Sequence, residues 1–202
     1  MDKKGHWETV YATKKPDEVS WTQEVPQTSL DFIRSCNLDK ASKIIDVGGG
    51  DSKLVDHLLN EGFKDITVLD ISGKSLERAK ARLGDKAQQV KWIESDVLSF
   101  RPQETYDLWH DRAAFHFLTE PGQIQTYVDL INNAVNGYVI IGTFSENGPK
   151  KCSGLDIKQY TEDTMEETFR SFTKIACKTE DHITPFSTSQ NFIFCRFKRM
   201  RD

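Results

Sequence analysis

The run Asp46-Val47-Gly48-Gly49-Gly50-Asp51-Ser52 joins an apolar, β-branched stretch, Lys43-Ile44-Ile45, to an amphipathic one, Lys53-Leu54-Val55-Asp56-His57-Leu58-Leu59. The order predicts a strand, a side-chain-free turn and a helix. Glycine alone reaches positive φ cheaply and lets a ligand lie against the backbone, so a triple glycine at a strand's carboxyl end marks a binding edge. A helix starting at Asp51 would aim unpaired N–H groups and a positive dipole end at the same place.

Spacing narrows the ligand. A dinucleotide fingerprint needs its third glycine where Lys53 stands, and a Walker A loop needs a lysine that Gly50-Asp51-Ser52 does not supply. A nicotinamide oxidoreductase is therefore disfavoured. A tight turn in an ordinary α/β protein is the plain alternative.

Further along, short apolar runs alternate with amphipathic ones, the pattern of a parallel sheet covered on both faces. Strands are expected at 43–47, 66–71, 90–95, 106–110 and 138–144, with helices at 51–61, 73–83 and 121–135. Ser72 can cap the second helix, and Gly62 and Gly84 end the first two. After the loop 145–156 come a helix at 162–172 and two strand-like runs, 173–178 and 191–197. With no helix between them, these runs must pair as an antiparallel hairpin across the loop 179–190. Before the glycines, a helix from about Ser29 to Cys36 follows an aromatic opening, and the segment 1–36 is expected to cap the sheet's carboxyl edge.

The 202 residues suit one domain, and 27 basic against 31 acidic residues give no field for a nucleic-acid backbone. The four cysteines show no zinc spacing and read as reduced thiols. No metal site, signal peptide or membrane span is expected, which places the protein in the cytoplasm.

Asp46-x-Gly48-x-Gly50, with acidic residues after the next two strands (Asp70, then Asp96) and a terminal hairpin, resembles the class I S-adenosylmethionine-dependent methyltransferases. Ser52 is a minor departure from their glycine motif. The resemblance implies a Rossmann-like α/β fold: a three-layer αβα sandwich on a seven-stranded, mostly parallel sheet, filling residues 43–202 behind the cap. It implies S-adenosylmethionine as cofactor, bound by Trp21, Asp46, Gly48, Gly49, Gly50, Asp70, Ile71, Asp96, Val97 and His110. Asp70 would take the ribose hydroxyls, and Asp96 with the next N–H the adenine edge. The acceptor would be an O, N or S atom of a small molecule. A protein lysine acceptor and a non-catalytic cofactor-binding module are the alternatives, since the lysine-directed group carries Asp-Lys-Gly where Asp111-Arg112-Ala113 stands.

The base-methylating relatives carry an Asn/Asp/Ser-Pro-Pro-aromatic run after the fourth strand, and Tyr106 to Leu118 has none. His110 and Asp111 are candidate catalytic groups there, His110 as proton acceptor and Asp111 as its orienter. Equally, His110 packs beside the cofactor while Asp111 pairs with Arg112. His116, between two phenylalanines, reads as a part-buried packing residue. Trp7, Tyr11 and Trp21 can close over the cofactor or simply pack the cap. Cys152, beside Lys150 and Lys151, is a candidate for a lowered thiol pKa, and His182 and Thr184 are expected in the hairpin loop.

Overall fold

The protein is described here by a computed structural model covering residues 2–200. Two short helices, α1 (Lys3–Thr13) and α2 (Gln27–Arg34), precede β1 (Lys43–Val47). Then α3 (Leu54–Asn60), β2 (Asp65–Asp70), α4 (Gly73–Leu83) and β3 (Val90–Glu94) alternate, and β4 (Tyr106–Arg112) follows β3 with no helix between them. Next come α5 (Pro121–Ala134), β5 (Val135–Phe144), the two-residue strands β6 (Lys151–Cys152) and β7 (Leu155–Asp156), and α6 (Glu162–Thr168). The hairpin β8 (Phe172–Ile183) and β9 (Ser189–Arg199) closes the chain.

Seven strands form one sheet in the order β3-β2-β1-β4-β5-β9-β8. Pairings from β3 through β5 are parallel, and β9 runs antiparallel to β5 and to β8. Strand alternation sorts the core onto two faces. Ile45, Val47, Trp109 and Ile141 point to α5 and α6, while Ile44, Val68, Leu108 and Ile140 point to α2, α3 and α4. On α5, Ile124, Tyr127, Val128 and Ile131 make the stripe that buries against the sheet. Ser72 caps α4 by accepting from the Ser75 N–H, and Lys80 and Arg82 sit at its negative end.

Several expectations need correction. The helix after the glycines starts at Leu54, not Asp51, because Ser52 Oγ accepts the Leu54 N–H and holds a turn there. The loop after β5 contains the β6–β7 hairpin. The terminal strands are longer than their apolar runs, so His182 lies within β8 and only residues 184–188 turn the corner. This register sets Cys177 opposite Cys195, and the two are disulfide-bonded rather than reduced. Cys36 and Cys152 are the free, buried thiols. No helix among the described residues is long and apolar enough to cross a membrane.

The amino-terminal segment is fastened over the carboxyl ends of the strands by polar ties. Glu8 accepts the Gly73 N–H at 2.7 Å, a carboxylate at the start of α4 where the helix dipole favours it. Lys4 pairs with Glu94, and Arg78 donates to the Lys14 carbonyl.

Candidate functional site

A cleft of about 800 Å³, open solvent at its mouth included, lies along these strand ends beneath the amino-terminal segment. Its floor begins at the glycine turn. The Gly48 and Gly49 N–H groups both reach the Leu69 carbonyl, at 2.8 and 3.3 Å, so the turn is stitched to β2 and presents bare backbone rather than those donors. Gly48 holds φ +66° and a Cβ there would stand 2.5 Å from the Ala114 Cβ. At Gly50, φ +40°, a Cβ would press on Asp70 Oδ2.

Asp70 is buried at the end of β2, where Oδ1 accepts the Ser72 N–H at 2.8 Å. Burial pushes its pKa up to about 6, against the pull of the Ser72 and Ser75 hydrogen bonds. Beside it, the Ser95 N–H donates to the Asp70 carbonyl, which brings Asp96 and Val97 to the same surface. Asp96 Oδ1 accepts the Leu98 N–H at 2.9 Å. Trp21, Gly48, Asp70, Ile71, Asp96 and Val97 all line the cleft.

Opposite them stands an aromatic wall. The Trp7 ring lies edge-on to Trp21 (5.6 Å, 78°) and to Phe117 (5.2 Å, 76°), and Tyr11 is 6.3 Å from Trp21. The Tyr11 hydroxyl is held far above its ordinary pKa by burial and the neighbouring Asp70 and Asp51, so it stays a neutral donor. Arg112 Nη2 and His182 Nε2 donate to consecutive carbonyls, Trp21 O at 3.0 Å and Ser20 O at 2.6 Å, which fixes the indole's backbone.

The other expected residues sit elsewhere. Asp46 is buried beneath the turn, with Oδ1 accepting from His110 Nδ1 at 2.7 Å, while His110 Nε2 pairs with Ser29 Oγ at 2.9 Å. Asp111 is fully buried on the α5 side, where Tyr127 donates to it at 2.6 Å and the Ala114 and Phe115 N–H groups bind its other oxygen. That clamp holds Ala113 at φ +66°, a strained conformation for a residue with a Cβ. Neither His110 nor Asp111 reaches the cleft surface, and Asp111 does not pair with Arg112. His116 is completely buried, its ring stacked on Phe144 at 4.5 Å.

Cys152 does line the cleft, but burial pushes its pKa up to about 12, the reverse of an activated thiol. His182 faces Ser20 and Gln23, with Thr184 bonded within the hairpin turn. Sequence reasoning missed Arg112 and Phe117 as cleft residues. The aromatic repeat around His116 was the available sign for Phe117. Among the described residues no cluster of His, Cys, Asp and Glu is built to hold a metal.

Residues 44–137 match the methyltransferase domain family. A malonyl-[acyl-carrier protein] O-methyltransferase from Anoxybacillus flavithermus is 30% identical over 105 residues, 51% of this chain and 39% of the relative. A second enzyme of that name, from Ilyobacter polytropus, is 24% identical over 54% of this chain and 42% of its own length. The chain thus spans about two-fifths of these curated relatives. Among solved structures, the N-methyltransferase NodS from Bradyrhizobium japonicum, in complex with S-adenosylhomocysteine, superposes with a TM-score of 0.74 at 15% identity, covering 99% of this chain and 100% of NodS. At such identity the likeness is one of fold.

Proposed function

We propose that this chain, whose residues 44–137 match the methyltransferase domain family, is a class I S-adenosylmethionine-dependent methyltransferase that binds S-adenosylmethionine in the cleft and transfers its methyl group to an O, N or S atom of a small molecule. The observation that carries the reading is the convergence of Gly48, Asp70 and Asp96 from three neighbouring strands on one cleft. The chemistry of these residues fits the cofactor. Asp70 offers Oδ2 to a ribose diol, Asp96 and the Val97 backbone offer acceptor and donor to an adenine edge, and Gly48 leaves room for the chain between. Trp7, Tyr11 and Trp21 give a cation a π-face and shed water.

When bound, the cofactor supplies an already activated methyl group, so the protein's task is alignment and desolvation. His110 and Asp111 are engaged inside the fold, as support for the glycine turn and as clamp of the 113–115 turn. That leaves no basic side chain of theirs in the cleft, and it favours an acceptor that arrives as its own nucleophile. The curated relatives, named for methylating a malonyl group on a carrier protein, favour an acid-derived acceptor.

Titration calorimetry with S-adenosylmethionine, S-adenosylhomocysteine and NAD tests the cofactor. Binding of the first two without the third is expected, and failure of both to bind ends the proposal. Incubation of metabolite and protein fractions with radiolabelled donor then tests transfer: label in small molecules is expected, whereas label only in protein points to a lysine-directed enzyme and label in neither to a binding module.

A further inference from the structure

Arg112 ends β4 and places its guanidinium in the cleft. That group stays protonated in proteins and carries five N–H donors in a planar fork that meets a carboxylate two bonds at a time. Here one donor is taken, by the Trp21 carbonyl. Among the described residues no Asp or Glu forms an ion pair with it. The acids whose charge reaches it are Asp46 and Glu180, and both are engaged elsewhere, Asp46 by His110 and Glu180 by Thr28 and Lys178. Burial accordingly pulls the guanidinium's pKa down. A cation that is only partly exposed and has no ion-pair partner is short of charge compensation, and a site of that kind is completed by an anionic ligand.

The cleft is also polarised along the sheet. Asp70 and Asp96 lie at β2 and β3, on one side of β1, with Lys3 of α1 also lining the cleft and donating to the Phe117 carbonyl, whereas Arg112 lies at β4 beside Gly142 of β5, with Glu180 and His182 of β8 in its field. The acidic end suits the adenosyl half of the donor, which leaves the cationic end to the acceptor. We propose that Arg112 is the recognition site for a carboxylate on the methyl acceptor, so that small organic acids are the substrate class. This rests on the donor placement proposed above. The fork binds through Nη1, Nη2 and Nε, while its Trp21 bond keeps the guanidinium plane fixed.

The test uses the full chain saturated with S-adenosylhomocysteine, and binding of that compound to the wild type separates failure of the cofactor reading from failure of this one. The loaded protein is titrated with benzoate, malonate, succinate and glutarate and with the corresponding neutral amides. At least one acid is expected to bind tenfold or more tighter than its amide, with the preference falling as salt rises. Arg112→Gln, compared with the wild type at matched S-adenosylhomocysteine saturation, is expected to abolish that preference, and Arg112→Lys, which keeps a charged donor, to retain part of it. The proposal is overturned if no acid outbinds its amide on the wild type, a result that does not depend on any variant folding. It is overturned equally if Arg112→Gln keeps the preference. A variant that weakens S-adenosylhomocysteine at least tenfold more than methylthioadenosine, which lacks the amino-acid tail, overturns it too, by assigning Arg112 to the donor's own carboxylate.

Discussion

His110 Nδ1 lies 2.7 Å from Asp46 Oδ1, across the parallel pairing of β4 with β1, and the two residues occupy the same register position. With Ser29 on the other ring nitrogen, they form a dry polar bracket directly below the glycine turn. A Cβ on Gly49 would meet Asp46 Oδ2 at 2.5 Å, which shows how closely the bracket supports the turn. Its consequence for the site is indirect: the bracket positions backbone that touches the cleft and touches nothing in the cleft itself.

His110→Phe should therefore act first on stability. Removing the ring nitrogens leaves a buried carboxylate oxygen and a hydroxyl without partners, a loss of about 2 kcal/mol. Urea unfolding is expected to show that loss at unchanged slope. If instead the urea midpoint is unchanged and methyl transfer falls beyond about 100-fold, the scale of a lost general base, His110 belongs to the chemistry.

Asp70 predicts a pH dependence of donor binding opposite to that of the empty fold. Its folded pKa of about 6 stands above the ordinary carboxyl value of 3.8, so the folded state holds more protons between these limits. The Asp70 contribution thus destabilises the empty protein as pH rises from about 4 to 6. Ribose hydroxyls need the ionised acceptor, so S-adenosylhomocysteine affinity should fall as pH drops through 6. Calorimetry at pH 5, 6 and 7.5 should show this trend in the wild type. Asp70→Asn should bind weakly at all three, and a flat wild-type profile would count against Asp70 as the ribose ligand.

Much of this arrangement was readable in the chain because apolar runs, glycines and carboxylates are local signals. Asp70 and Asp96 each follow an apolar run, and Ser72 announces α4. Side-chain direction at a strand's last residues is a different matter. Whether His110, Asp111 or Arg112 enters the cleft depends on pleat parity and on register with β1 and β5, and on Ser29 and Trp21 arriving from far away in sequence. Adjacent residues on β4 face opposite layers, so one strand end yields a bracket, a clamp and a cleft cation in succession. The Cys177–Cys195 bond is fixed by the register of β8 with β9, which the two apolar runs leave open and the turn at 184–188 decides.

Gly48 separates space from backbone strain. Gly48→Ala places a Cβ 2.5 Å from the Ala114 Cβ and forces φ +66° on alanine. A loss of about 1–3 kcal/mol is expected, with weaker S-adenosylhomocysteine binding. Adding Ala114→Gly removes the contact and leaves the dihedral cost of about 1 kcal/mol. A double-mutant cycle in urea should then show a favourable coupling between the two changes. Strict additivity would mean the two positions do not press on each other.

His116 should set part of the protein's acid sensitivity. Burial lowers its folded pKa from 6.5 to about 3, and neither ring nitrogen has a partner among the described residues. Between those values the unfolded chain binds a proton that the folded chain refuses, so stability is lost as pH falls from 6.5 towards 3, at a limiting slope of about 1.4 kcal/mol per pH unit. Asp70 and Asp111, raised to about 6, act in the opposite sense over part of that window, so the wild-type curve alone does not isolate the histidine. The comparison that does is His116→Phe, which keeps the stack on Phe144 and removes the titrating group. Relative to wild type, the variant should gain stability progressively below pH 6.5 and differ by a constant amount above it, measured by urea unfolding from pH 5 to 8. A difference that does not change with pH would show that the His116 ring takes up its proton as readily in the fold as in the unfolded chain, and hence that water reaches it.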